Sequence, residues 1–123
     1  MSSAPAPIRV LLVEDSDVYR DSLVFLLGLR DGIEVADAVP DGASAIRAWR
    51  EHEPDVVVLD YRLPDVDGAA VAAELPADTA VVFLSASAGK DEYDAASSAG
   101  AALVRKDEGI DALVRAVRTA AGR

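Results

Sequence analysis

A chain of 123 residues with 51% hydrophobic and only 5% aromatic residues makes one domain, with a core built from Val, Leu, Ile and Ala. It has no cysteine, which excludes disulfides and thiolate metal sites, and no apolar run nears the ~20 residues that span a bilayer. The net charge of −10 argues against direct nucleic-acid binding, and the absence of a charged-then-apolar leader makes a cytoplasmic protein the expectation.

Residues 1–7 are small and proline-interrupted and read as a flexible tail ahead of a domain over 8–123. Ile8 to Val13 is apolar apart from Arg9, which predicts a buried strand ending in Glu14-Asp15. Ser16 or Asp17 can cap a helix to about Leu29, with Leu23, Leu26 and Leu27 turned inward. Ile33 to Val39 is a more polar strand, suited to a sheet edge. Beyond Pro40-Asp41-Gly42, a helix from about Ala43 to His52 puts Ile46 and Trp49 on one face, Trp49 reading as core and His52 as solvated.

Val56-Val57-Val58-Leu59 predicts a strand buried on both faces, and it stops on a carboxylate, Asp60, that such a strand would not otherwise tolerate. Pro64, Asp65, Asp67 and Gly68 then force a turn, in which Asp65 and Asp67 read as turn and cap residues. A short helix over about Ala69–Leu75 leads to a strand, Ala80 to Leu84, ending in Ser85-Ala86-Ser87. Next come a helix from Lys90 to Ala99 stopped by Gly100, and a small strand, Ala101 to Val104, ending in Arg105-Lys106-Asp107. The last helix, about Ile110 to Ala121, carries Ile110, Leu113, Val114 and Val117 as one stripe. Strictly alternating strands and helices imply right-handed crossovers and a doubly wound α/β fold, with five parallel strands in a three-layer α/β/α arrangement. All strand carboxyl ends then meet on one rim, which gathers Glu14, Asp15, Asp60, Ser85 and Lys106.

Three carboxylates on one rim repel one another, so they must hold protons or a cation. All-oxygen donors favour a hard ion, and Mg²⁺ suits few carboxylates plus water better than Ca²⁺ does. A carboxylate, a hydroxyl and a lysine beside such an ion make a phosphoryl-transfer set. Asp60 is the candidate nucleophile, Asp15 with Glu14 the metal holder, Lys106 the partner of a phosphoryl oxygen and Ser85 a hydrogen-bond donor to another.

These residues resemble the receiver domains of two-component response regulators. The resemblance covers Arg9 to Ala121 and rests on Glu14-Asp15, Asp60 followed by Leu63-Pro64-Asp65-Val66-Asp67-Gly68, Ser85-Ala86, and Lys106. It implies a flavodoxin-like sheet of order 2-1-3-4-5. It also implies phosphoryl transfer to Asp60 from a sensor histidine kinase or phosphotransfer protein, with no enzymatic activity beyond self-phosphotransfer and autodephosphorylation. Mg²⁺, or Mn²⁺ in its place, would be held by Glu14, Asp15, Asp60 and the backbone carbonyl of Arg62. Ser85, Ala86 and Lys106 would contact the phosphoryl group, with Arg62, Ser87 and Leu103 modulating the response. The face of helix four, strand five and helix five would pass the state to an output domain or a second copy, and Tyr93 would lie on it. Three departures stand out. Leu103 replaces the family's common aromatic; Asp107 replaces a common proline and is free to cap the last helix; and the Asp60-to-Ser85 segment is short, trimming helix three.

Arg62 overhangs the rim in this reading, either as an exposed loop cation with no special role or as a group that shields an acyl phosphate or pairs with an acid across the rim. A haloacid dehalogenase-like phosphatase also places a nucleophilic Asp after a buried strand, but it wants a second Asp where this chain has Arg62. A degenerate binding module independent of phosphorylation is the other alternative. A nucleotide or flavin site lacks its glycine-rich loop after the first strand.

Overall fold

The computed structural model describes residues 6–87 and 89–123; the expected tail falls mostly outside them. The elements alternate as β1 (Ile8–Val13), α1 (Asp17–Gly28), β2 (Ile33–Val39), α2 (Gly42–His52), β3 (Val56–Asp60), α3 (Gly68–Glu74), β4 (Ala80–Ser85), α4 (Lys90–Ala99), β5 (Ala102–Arg105) and α5 (Ile110–Ala120). A short 3-10 turn, Lys106–Glu108, joins β5 to α5. Every strand pairing is parallel, and the order is β2-β1-β3-β4-β5. The polar strand β2 therefore does lie at an edge, and β3, whose five residues are all buried, lies at the centre.

The pleat divides the core in two. Val10, Leu12, Val56, Val58, Val82 and Leu84 face α1 and α5, where Leu23, Leu27, Leu113 and Val117 cover them. Leu11, Val13, Val57, Leu59 and Phe83 face α2, α3 and α4. Alternate residues of one strand thus feed opposite layers, which is why the strands are continuously apolar and not alternating. Trp49 is half-buried against the second layer, and Leu103 packs there too.

The helix starts are fixed by oxygen acceptors. Ser16 Oγ accepts from Tyr19 N at 3.3 Å, Asp41 Oδ1 from Ser44 N at 2.8 Å, and Asp67 Oδ1 from Ala70 N at 2.9 Å. The expected cap at Asp107 is corrected: Gly109, at φ 88°, precedes α5 without any side-chain cap. Asp107 instead meets Arg105 Nε at 3.1 Å, because the intervening 3-10 turn carries it too far from the helix start. No cis peptide bond occurs among the described residues.

The loop after β3 is clamped. Gly68 N donates to Tyr61 O at 2.6 Å, and a Cβ at position 68 would lie 2.6 Å from Asp60 O and 2.9 Å from Tyr61 Cα. Both obstacles are backbone and cannot swing aside. Gly68→Ala is expected to cost about 2–3 kcal/mol in urea unfolding by displacing the backbone that carries Asp60. A stability within a few tenths of the parent would show that the loop yields freely.

Candidate functional site

The rim at the carboxyl ends of the strands gathers the expected residues. Asp60, the last residue of β3, is 4% exposed; Glu14 just past β1 is 0% exposed, and Asp15 beside it is open to solvent. Carboxylate oxygens of Glu14, Asp15 and Asp60 lie within 4.8 Å of one another. Lys106, presented by the turn after β5, bridges two of these acids. Its Nζ is 3.0 Å from Asp60 Oδ2 and 2.5 Å from Glu14 Oε1, the latter an ion pair at an angle poor for a hydrogen bond. The ammonium also lies 4.8 Å from the centroid of the Tyr19 ring on α1, close enough for a cation–π contact. Asp60's other oxygen, Oδ1, accepts from Arg62 N at 3.0 Å, while Glu14 Oε2 accepts from Ser16 N at 2.9 Å.

A cleft of about 160 Å³ opens here, lined by Asp15, Asp60, Arg62, Ser85, Ala86, Ser87 and Lys106. Ser85, 3% exposed, donates its hydroxyl to the Ser87 carbonyl in this state. Leu103 sits apart in the second core layer, opposite Phe83 across the β4–β5 pairing.

Electrostatically the cluster is an excess of negative charge held by one lysine. Burial works against the Lys106 ammonium, but its hydrogen bond to Asp60 and its attraction to the Glu14 and Asp60 carboxylates prevail, and its pKa stands above the ordinary value. Burial also raises the Tyr19 pKa, and the neighbouring lysine only partly opposes it. The three carboxylates are all-oxygen donors held close together, a set that could hold a hard divalent cation and that has a reason to, since one ammonium leaves the acids in excess.

Residues that sequence reasoning set aside turn out to brace the rim. Asp65 receives Gly42 N at 2.9 Å and Ala43 N at 3.1 Å, so it caps α2 from across the fold, while Asp67 caps α3 as expected. These backbone hydrogen bonds, first that from Gly42, hold the Asp65 carboxyl below the ordinary value, and the Ser44 hydroxyl and N–H do the same for Asp41. A lowered folded pKa stabilises the fold above the ordinary carboxylate value of 3.8, and that contribution disappears as pH falls through the folded value. The urea midpoint should therefore drop steadily below about pH 4, and Asp65→Asn should flatten that drop. An unaltered acid profile would remove Asp65 from this role. His52 is corrected: it is not merely solvated, because Nε2 lies 3.3 Å from Asp37 Oδ2 where the end of α2 meets β2.

The guanidinium of Arg62 turns to α4 and meets Glu92 Oε1 at 3.1 Å. Glu92 is buried, accepts from Gly89 N at 3.0 Å and was not singled out in the sequence. A Glu three residues after a helix start was the available signal, being half of a capping pattern.

A five-stranded parallel α/β domain with three acids and a lysine at its rim is the architecture of a signalling receiver. The comparisons agree: the family model of the response regulator receiver domain matches residues 10–118, and the chain belongs to that family, whose general function is phosphorylation-dependent switching in two-component systems. Among relatives, the probable transcriptional regulatory protein NarL of Mycobacterium tuberculosis is 37% identical over 92% of this chain and 54% of its own length. The transcriptional regulatory protein CseB of Streptomyces avermitilis is 35% identical over 93% of this chain and 52% of its own length. The chain thus spans about half the length of these curated relatives. The solved signal receiver domain of M. tuberculosis NarL superposes with a TM-score of 0.86 at 35% identity, covering 96% of this chain and 98% of that one. A LuxR-family response regulator from Aurantimonas sp. SI85-9A1 gives 0.88 at 28% identity, covering 96% and 88%. No helix among the described residues is long and apolar enough to cross a membrane.

Proposed function

We infer that Asp60 is the phosphoacceptor of this receiver. The observation that carries the reading is the Asp60 carboxylate at the tip of the central strand, open to the cleft and 3.0 Å from the Lys106 ammonium. In the transfer, a carboxylate oxygen of Asp60 attacks the phosphorus of a partner's phosphohistidine; the O–P bond forms as the N–P bond breaks, and the electron pair returns to the imidazole. The Arg62 N–H on Oδ1 fixes the carboxylate plane. Lys106 offsets charge on the phosphoryl oxygens, and Ser85 can exchange its bond to Ser87 for one to the phosphoryl group, with Ala86 and Ser87 forming that wall of the cleft. Glu14, Asp15, Asp60 and the Arg62 carbonyl would hold Mg²⁺, or Mn²⁺ in its place, which when bound neutralises the incoming oxygens.

The partners that fit are a sensor histidine kinase or phosphotransfer protein. Downstream, the face of α4, β5 and α5 would address an output domain or a second copy of the chain, with Leu103 on β5 replacing an aromatic reporter. The domain acts as a switch and not as an enzyme with a released product. Incubation with Mg²⁺ and acetyl phosphate tests this. A stable, hydroxylamine-sensitive adduct mapped to Asp60 supports it; continuous phosphate release would indicate a phosphatase, and no adduct a phosphorylation-independent binding module.

A further inference from the structure

One side chain ties the acceptor loop to α4. Arg62 is anchored at its backbone, where its N–H donates to Asp60 Oδ1 at 3.0 Å, and it lines the acceptor cleft. Its guanidinium, on a side chain 76% exposed, meets Glu92 Oε1 at 3.1 Å, and the Glu92 side chain is 6% exposed. Glu92 Oε2 meanwhile accepts from Gly89 N at 3.0 Å, at the start of α4. A single buried carboxylate therefore closes the first turn of α4 and relies on Arg62 for its counter-charge. We propose that Arg62 is a cation shared between two anions: Glu92 holds it while Asp60 is free, and the phosphoryl oxygens draw it away once Asp60 is modified, opening the first turn of α4.

The asymmetry of burial makes the exchange one-sided. An exposed guanidinium rotates with little loss of hydration, and a phosphoryl group carrying a charge of about −1.5 to −2 is a stronger acceptor than a carboxylate. Glu92 cannot follow, because it is fixed to the helix start. Deprived of Arg62, a buried carboxylate must reach water, and it does so only if the Gly89-to-Tyr93 turn loosens. Charge at the site is converted into a change of order at α4 without any aromatic on β5, where Leu103 is half-buried against the second core layer. This rests on Asp60 being the phosphoacceptor and adds its coupling to the neighbouring helix.

The test combines adduct lifetime with amide exchange over residues 89–93, with and without acetyl phosphate and Mg²⁺. In the unaltered chain phosphorylation should speed that exchange by about tenfold, the scale of one lost charged hydrogen bond. Glu92→Gln keeps an acceptor for Gly89 N–H but has no charge to strand. In that variant the adduct should persist several-fold longer and exchange should no longer respond. Arg62→Gln should still be phosphorylated, with a shorter-lived adduct and fast exchange before modification. A Glu92→Gln protein that is phosphorylated and behaves like the parent in both measurements overturns the shared-cation proposal alone. Absence of any Asp60 adduct on the unaltered chain overturns the acceptor assignment and this proposal together.

Discussion

Lys106→Met should destabilise the protein by about 3 kcal/mol at neutral pH in the absence of divalent ions. Among the described residues, the ammonium is the one cation touching both Glu14, which is fully buried, and Asp60, which is 4% exposed. Removing one partner of a buried ion pair typically costs about 3–5 kcal/mol; the lysine side chain is 24% exposed, which puts the expectation at the lower end. Methionine preserves most of the aliphatic stem, so the loss reports charge more than packing. Mg²⁺ should restore part of it, because a cation among the three carboxylates does electrostatically what the lysine did. The raised folded pKa of Lys106 sets the sign with pH. Its contribution is fully present below the ordinary lysine value of 10.5 and is lost as pH rises through the folded value, so parent and variant should converge only in strong alkali. A loss under about 1 kcal/mol in urea unfolding without metal would mean that solvent screens the cluster far better than its burial implies.

Asp60→Asn should abolish the acetyl phosphate adduct completely while leaving the fold intact. Asparagine is nearly isosteric and retains an oxygen for the Arg62 N–H, so β3 and its clamped loop have no reason to move. What disappears is the nucleophile and one of three negative charges that a divalent ion would need. Exchanging a charged hydrogen bond to Lys106 for a neutral one should change stability by less than about 1.5 kcal/mol. Mg²⁺ should raise the urea midpoint of the parent and barely move that of the variant. An adduct of equal yield on Asp60→Asn would transfer the acceptor role to another side chain of the rim.

The class of fold and the membership of the rim are legible in the residues themselves. A strand buried on both faces must be apolar throughout, so Ile8–Val13 and Val56–Leu59 announce themselves, and a carboxylate that ends such a run can only face the open end of the sheet. Alternation with helical stripes forces the strands parallel, and that brings Glu14, Asp15, Asp60, Ser85 and Lys106 to one side. Strand ends were legible to within a residue. The 3-10 turn after β5 is not legible there, which is why the residues leave Asp107 free to cap a helix whose start Gly109 occupies.

Pairings between distant residues had to wait for tertiary structure. Arg62 with Glu92, Asp65 over the start of α2, and Lys106 shared between Glu14 and Asp60 all join segments from different crossovers, while His52 with Asp37 joins the end of α2 to the strand before it. Periodicity encodes which face of an element is buried, because burial is repeated along the element and averaged over many residues. A single ion pair is one contact, set by the register of neighbouring strands and the angle at which a helix lies across them. The residues alone therefore determined a parallel α/β domain with an acidic rim, and packing alone decided which charge would neutralise which.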